Sequence, residues 1–268
     1  MRLKQIIKML EELCPPGFAM SWDNVGLLVG RSDKEVSTIA LALDATTEVI
    51  EQAAEQGADL ILTHHPLLFS GVRNVTDSDY VGRRILYLIR HDISCYAMHT
   101  NFDVLGMADA AADLINLTDR EVLEVTYEDE ISVDGIGRIG SLIEPMKLSE
   151  FAEKVAGAFE IDHVRYYGDP DQMVVTCAIL PGSGKGEIDL AVKANADVYV
   201  TGDISHHDGI DAVEKGIAVI DAGHYGIEKI FVPYMKEYLE REMPEIRIIS
   251  CDRGAPFHET LSQTMRTT

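Results

Sequence analysis

"ILTHHPLLF", residues 61–69, begins as an apolar strand and ends on two adjacent histidines and a proline, with no charged residue beside them. Its surroundings, "GADLILTHHP" (57–66), recur in outline as "NADVYVTGDISHH" (195–207): a helix end, Ala-Asp, an apolar strand, then Thr with polar groups. Each is followed by a helical pattern and by another strand ending in histidine, "YAMHTNFD" (96–103) in the first half and "IDAGHYGIE" (220–228) in the second. A duplicated α/β unit explains the recurrence, and so does the ordinary grammar of β-α-β chains.

Outward from this stretch, continuously apolar strand-like runs lie at 38–44, 58–65, 93–100, 173–180, 196–202, 217–223 and 246–251. Amphipathic patterns separate them, among them "TTEVIEQAAEQG" (46–57), "DYVGRRILYLIRHD" (79–92), "LSEFAEKVAGAFE" (148–160) and "GIEKIFVPYMKEYLERE" (226–242). Short apolar strands alternating with such helices predict α/β layers with mainly parallel pairing. The middle, "VLEVTYEDEISVDGIGRIGSLIEP" (122–145), reads as shorter β pieces with acids and Gly-rich turns, and a boundary near residue 127 divides an N-terminal α/β half, 1–127, from a C-terminal one, 128–268. Open α/β sheets place ligands at the carboxyl ends of their strands, so a cleft between the halves is the expected site.

The 268 residues carry 23 Lys+Arg against 45 Asp+Glu, a formal charge of −22. That balance repels phosphate backbones and anionic bilayers, which argues against nucleic-acid partners and favours cations. No run is long enough to span a membrane. The opening "MRLKQIIKMLEELCPP" (1–16) sets Ile6, Met9, Leu10 and Leu13 at helical spacing but interrupts them with Lys8, Glu11 and Glu12, unlike a signal peptide. Cys14, Cys95, Cys177 and Cys251 form no C-x-x-C pair and read as reduced core thiols of a cytoplasmic protein.

Adjacent strand residues point to opposite faces, so His64 and His65 clasp one small ion poorly while the segment stays extended. Alone, they read as one solvent-facing and one core histidine. Two ions roughly 3.5 to 4 Å apart would remove the difficulty, each taking one imidazole. Pro66 keeps His65 extended. "GHYGIE" (223–228) sets His224 and Glu228 four residues apart at the start of a helix, on one face; a carboxylate against the helix dipole is the plainer alternative. "MHTNFD" (98–103) adds His99, as ligand, general base or supporting partner, and Asp103, whose two oxygens suit it to bridging or to capping. These histidines and carboxylates suit zinc, iron, manganese or cobalt. In "TGDISHHDG" (201–209), Asp203 and His207 are expected to support the ligands from behind, although Ser205 equally reads as an N-cap. Asp44 ends the strand at 38–44 and belongs near the same edge.

"GIGRIG" (135–140) spells G-x-G-x-x-G but lacks a following helix, and reads as a β-turn. "PGSGKGEIDLA" (181–191) follows a strand and opens a helix, so its amides could hold an anion such as a substrate phosphate; Lys185 precedes Gly, so it is no Walker loop, and a close-packed strand-to-helix turn is the more economical reading.

"SWDNVGLLVG", "THHPLLF", "HTNFD", "TGDISHHD" and "DAGHYGIE", in that order, resemble the NIF-three-like family, also labelled GTP cyclohydrolase I type 2 homologues. The likeness spans essentially the whole chain, and "THHP" followed by "GHYxxE" is its specific signature. The resemblance implies two similar α/β domains, a dinuclear centre at their junction held by His64, His65, Asp103, His224 and Glu228 with Asp103 bridging, and a ring-shaped homohexamer. Longer relatives carry a domain inserted between the halves, for which the 122–145 connection leaves no room. The expected function is a dinuclear metal-dependent hydrolase of a small molecule, of GTP cyclohydrolase or phosphoester type, with His99 or His207 moving protons. The alternative is a noncatalytic metal-binding or adaptor protein.

Overall fold

Two mixed sheets organise this computed structural model, which describes residues 1–258. In chain order the strands are β1 (Gly26–Val29), β2 (Thr38–Ala42), β3 (Leu60–Thr63), β4 (Ser94–Ala97), β5 (Thr118–Glu128), β6 (Val133–Lys147), β7 (Arg165–Tyr167), β8 (Met173–Ser183), β9 (Val198–Gly202), β10 (Ala218–Asp221) and β11 (Arg247–Ser250). The helices are α1 (Leu3–Leu13), α2 (Thr47–Glu55), α3 (Tyr80–Arg90), α4 (Thr100–Phe102), α5 (Ala108–Leu114), α6 (Leu148–Ala158), α7 (Ile188–Lys193), α8 (His206–Glu214), α9 (His224–Glu228) and α10 (Phe231–Glu242), with a π-helical turn, Asp103–Met107, between α4 and α5.

The five-stranded sheet has the order β1-β4-β3-β2-β11 and the six-stranded sheet β5-β6-β8-β9-β10-β7. One pattern occurs twice. An antiparallel strand, β1 or β7, precedes three consecutive parallel strands, β2-β3-β4 or β8-β9-β10, and pairs with the last of them. Sheet membership does not follow a division at residue 127. Strand β5 pairs with β6 in the second sheet, while β11, after the α10 crossover, returns to lie parallel to β2 in the first.

Both faces of the parallel strands are buried, and the side-chain period of two sorts them. Leu41, Leu62, Tyr96, Cys177, Val200 and Ile220 enter one apolar core shared by the two sheets. Their neighbours face outward instead: Ala40, Ile61 and Cys95 toward the α2 and α3 layer, Ala178, Tyr199 and Val219 toward α7 and α8. The four cysteines are free and buried.

The middle of the chain differs from expectation. Residues 118–147 form a long β5–β6 hairpin, and "GIGRIG" lies inside β6 rather than at a turn. The glycines are needed for close approach: a Cβ at Gly135 would collide with Glu124 O, and one at Gly140 with Thr118 O, both on β5.

Parallel pairing brings the strand ends level. Thr63 is in register with Ala42 and Ala97, and Thr201 with Asp221. Beyond them, His65 N donates to Leu43 O (2.9 Å), Met98 N to Thr63 O (2.9 Å) and Ala222 N to Thr201 O (2.8 Å), which fixes the first residues past each strand. There the histidines stand.

Candidate metal centre

His64 and His65 leave the end of β3 on opposite sides. His64, fully buried, follows Leu60 and Leu62 toward the shared core, where its ring meets Phe231 at 5.4 Å between centroids. Its Nδ1 donates to Met98 O at 2.8 Å, leaving Nε2 as a lone pair. That Nε2 lies 3.5 Å from Asp103 Oδ1 and 3.7 Å from Glu228 Oε1. His65 turns its Nδ1 to Asp44 Oδ1 (2.9 Å) and its Nε2 to Glu228 Oε2 (3.0 Å).

The second sheet supplies the opposite side. His224 and Glu228 sit on one face of α9, with His224 Nε2 2.9 Å from Glu228 Oε2 and 3.2 Å from His65 Nε2. His224 Nδ1 contacts Asp203 Oδ2 at 2.8 Å. Asp203 reaches it from a left-handed backbone, φ 60°, unusual for a residue with a Cβ. Gly182, at φ 85°, leaves the space that Glu228 Oε1 occupies; a Cβ there would strike it.

Asp103 is presented by the π-helical turn, whose wider winding marks many functional sites. Arg138 braces that turn from β6. It donates to Val104 O (3.3 Å) and grips Asp109 with two hydrogen bonds, 2.9 and 2.7 Å. His99, at the end of β4, completes the ring of imidazoles 5.2 Å from His64 and 5.6 Å from His65, with Nδ1 on Asp23 Oδ1 at 2.9 Å.

Three sets of potential ligand atoms therefore converge, each within 4.8 Å of one another: His64, His65 and His99; His65, His224 and Glu228; His64, Asp103 and Glu228. Among the described residues, His64 Nε2 and Asp103 Oδ1 are buried with no hydrogen-bond partner, and Glu228 Oε2 is buried against only the Nε2 atoms of His65 and His224. Leaving such atoms unpaired is expensive, and a cation is the group that all three accept. Each histidine also has its other nitrogen held by a carboxylate or carbonyl, the arrangement that orients metal-binding imidazoles. The residues fit divalent ions of the borderline class.

Without an ion, protons take over the same work. Burial lifts the Asp103 carboxyl to about 7, helped by the Glu228 charge. Burial would lift Glu228 too, but the His64, His224 and His65 imidazoles hold it well below the usual carboxylate range. His224 rises to about 9 through Glu228, and His65 to about 10 because Asp44 and Glu228 outweigh its burial.

The expected ligands His64, His65, Asp103, His224 and Glu228 thus meet in space, and Asp203 stands behind His224. His207 stands apart: it is exposed in the first turn of α8, its ring against His206 at 5.2 Å, and it belongs to none of the convergent sets. Ser205 caps that helix, the plainer of the two readings. Asp23 has no spacing relation to His99, 76 residues away, so its role was not legible.

A sequence profile for Duf34/NIF3 (NGG1p interacting factor 3) matches residues 1–254. The "GTP cyclohydrolase 1 type 2 homolog" of Clostridium perfringens (strain 13 / Type A) is 35% identical over 261 residues, 96% of this chain and 99% of that protein. The crystal structure of Staphylococcus aureus protein SA1388 superposes with a TM-score of 0.86 at 31% identity, covering 97% of this chain and 99% of that one. Reduced HcgD from Methanocaldococcus jannaschii gives 0.82 at 34% identity over 94% and 98%.

Proposed function

The chain belongs to the Duf34/NIF3 family, and from that premise we propose that it is a metal-dependent hydrolase whose centre holds two divalent ions. The observation that supports this most is the pair of buried, unpaired ligand atoms His64 Nε2 and Asp103 Oδ1, beside Glu228 and the facing Nε2 atoms of His65 and His224. His64 and His65 would hold one ion each from opposite sides of a strand end. Glu228, which faces His64 through Oε1 and His65 and His224 through Oε2, would serve both ions, and Asp103, beside His64, would serve the ion held there.

Divalent ions at such a centre supply Lewis acidity, activating a water and stabilising developing oxyanion charge. The protein's own residues do the rest. Asp44, Asp203 and Met98 O fix the tautomers of His65, His224 and His64. His99, oriented by Asp23, lines the cleft above Asp103 and Glu228 and moves a proton at Nε2. Zinc, iron, manganese and cobalt all suit this donor set. The active form is a ring-shaped homohexamer of a cytoplasmic protein, and the substrate is a small molecule.

Elemental analysis of purified protein, followed by turnover of GTP and of model phosphoesters, tests the reading. Two ions per chain and turnover lost in His65→Ala are expected. Metal uptake that drives ring assembly without turnover of any substrate would instead make the centre structural, as in an adaptor.

A further inference from the structure

The cleft above the proposed ions has a volume of about 220 Å³, below the roughly 300–1,000 Å³ of pockets for drug-sized ligands. The group seated within it must be small. Trp22 stands at its edge 64% exposed, edge-on to His99 with ring centroids 6.0 Å apart. Phe69, 58% exposed, meets the same imidazole edge-on at 5.8 Å. Two large aromatic rings left in water beside a buried polar cluster are a stacking platform in want of a ring.

Apart from the His99 and His224 imidazoles, the charged groups of the cleft are negative. Among the described residues no Lys or Arg lines it, while Asp103, Glu228 and Glu187 do. Burial and Glu124 push the Glu187 carboxyl up, so an added negative charge would be unwelcome there. Asp103 and Glu228, together with Asp23, Asp44 and Asp203 behind the histidines, carry five negative charges against the four positive charges of two divalent ions, which leaves no positive surplus to attract a polyanion. The opposite side of the cluster, where His65 and His224 line a second opening, has Arg165 as its only Lys or Arg among the described residues. It lies 3.4 Å from Asp221 with Asp44 and Asp203 beside it. The chain's clustered arginines, Arg83, Arg84 and Arg90, lie in a separate groove on α3.

We propose that the cleft takes a small planar heteroaromatic ring, uncharged or cationic, stacked on Trp22, and that it disfavours polyphosphates. This rests on the hydrolase reading and narrows its substrate class: a ring-bearing compound without a phosphate chain, despite the relatives' cyclohydrolase name.

Trp22 is the chain's one tryptophan, so its fluorescence reports on the cleft directly. Full-length protein, its metal content measured on the same sample, is titrated with guanosine, GMP and GTP at fixed ionic strength. Saturable quenching by guanosine, at least tenfold tighter than for GTP, is expected, with GMP between them. Equilibrium dialysis of Trp22→Ala should show guanosine binding at least tenfold weaker at unchanged metal content. GTP binding more tightly than guanosine, unchanged guanosine affinity in Trp22→Ala, or no ring binding by metal-loaded protein would each overturn the inference while leaving the metal centre standing. Protein that takes up no metal would overturn the hydrolase reading and this inference with it.

Discussion

The Nε2 atoms of His65 and His224 face each other at 3.2 Å, and the Nδ1 of each ring sits on a carboxylate, Asp44 at 2.9 Å and Asp203 at 2.8 Å. A neutral imidazole that donates through Nδ1 has only a lone pair at Nε2. Two lone pairs at that distance repel, so either protons or cations must lie between the rings and Glu228.

Protons and metal should therefore compete. His65 and His224 are raised from 6.5 to about 10 and about 9, so the stability they contribute to metal-free protein is complete below pH 6.5 and lost as pH rises through 9 to 10. Asp103, raised from 3.8 to about 7, acts in the same sense: its contribution fades as pH climbs through 7. Chelator-treated protein should melt at a lower temperature at about pH 9 than at about pH 6, and metal should raise the melting temperature more at the higher pH. A metal-free melting temperature that climbs over this range would contradict the assignment.

Asp203→Asn should weaken metal binding by about tenfold, toward the low end of the effect of removing a partner behind a ligand. Asn tolerates the left-handed backbone at 203, so the fold should persist. Competition with a chromophoric chelator gives the affinity, and circular dichroism checks the fold.

Gly182→Ala combines a left-handed backbone with a collision at Glu228 Oε1. A destabilisation of about 1–3 kcal/mol is expected from the backbone alone, with metal affinity falling as Glu228 is displaced. Urea unfolding with chelator present isolates the first effect. Full stability would show that the backbone relaxes freely.

Asp103→Ala should lose most of the bound metal, because it removes a carboxylate whose buried Oδ1 lies 3.5 Å from His64 Nε2 with no hydrogen-bond partner of its own. Unchanged stoichiometry by elemental analysis would take Asp103 out of the centre.

Much of this was readable in the chain because the relevant signals are local. Strand-to-histidine junctions at 64–65, 99 and 224 mark the carboxyl ends of parallel strands, and the i, i+4 spacing of His224 and Glu228 is helix geometry written out. What depends on distant pairing was not. Nothing near residue 247 says that β11 will join β2, and nothing near Asp23 says that a turn will carry it to His99. The β6 glycines misled because close strand approach and a turn ask for the same residue. His207, one half of a pair like 64–65, failed because Ser205 starts a helix where the first half has Pro66, and the helix carries it to the surface.

Anomalous diffraction from crystals of the metal-loaded protein tests the central claim most directly. The account predicts two peaks roughly 3.5 to 4 Å apart, between His64, His65, Asp103, His224 and Glu228. A single peak elsewhere, or none at that cluster, would contradict it.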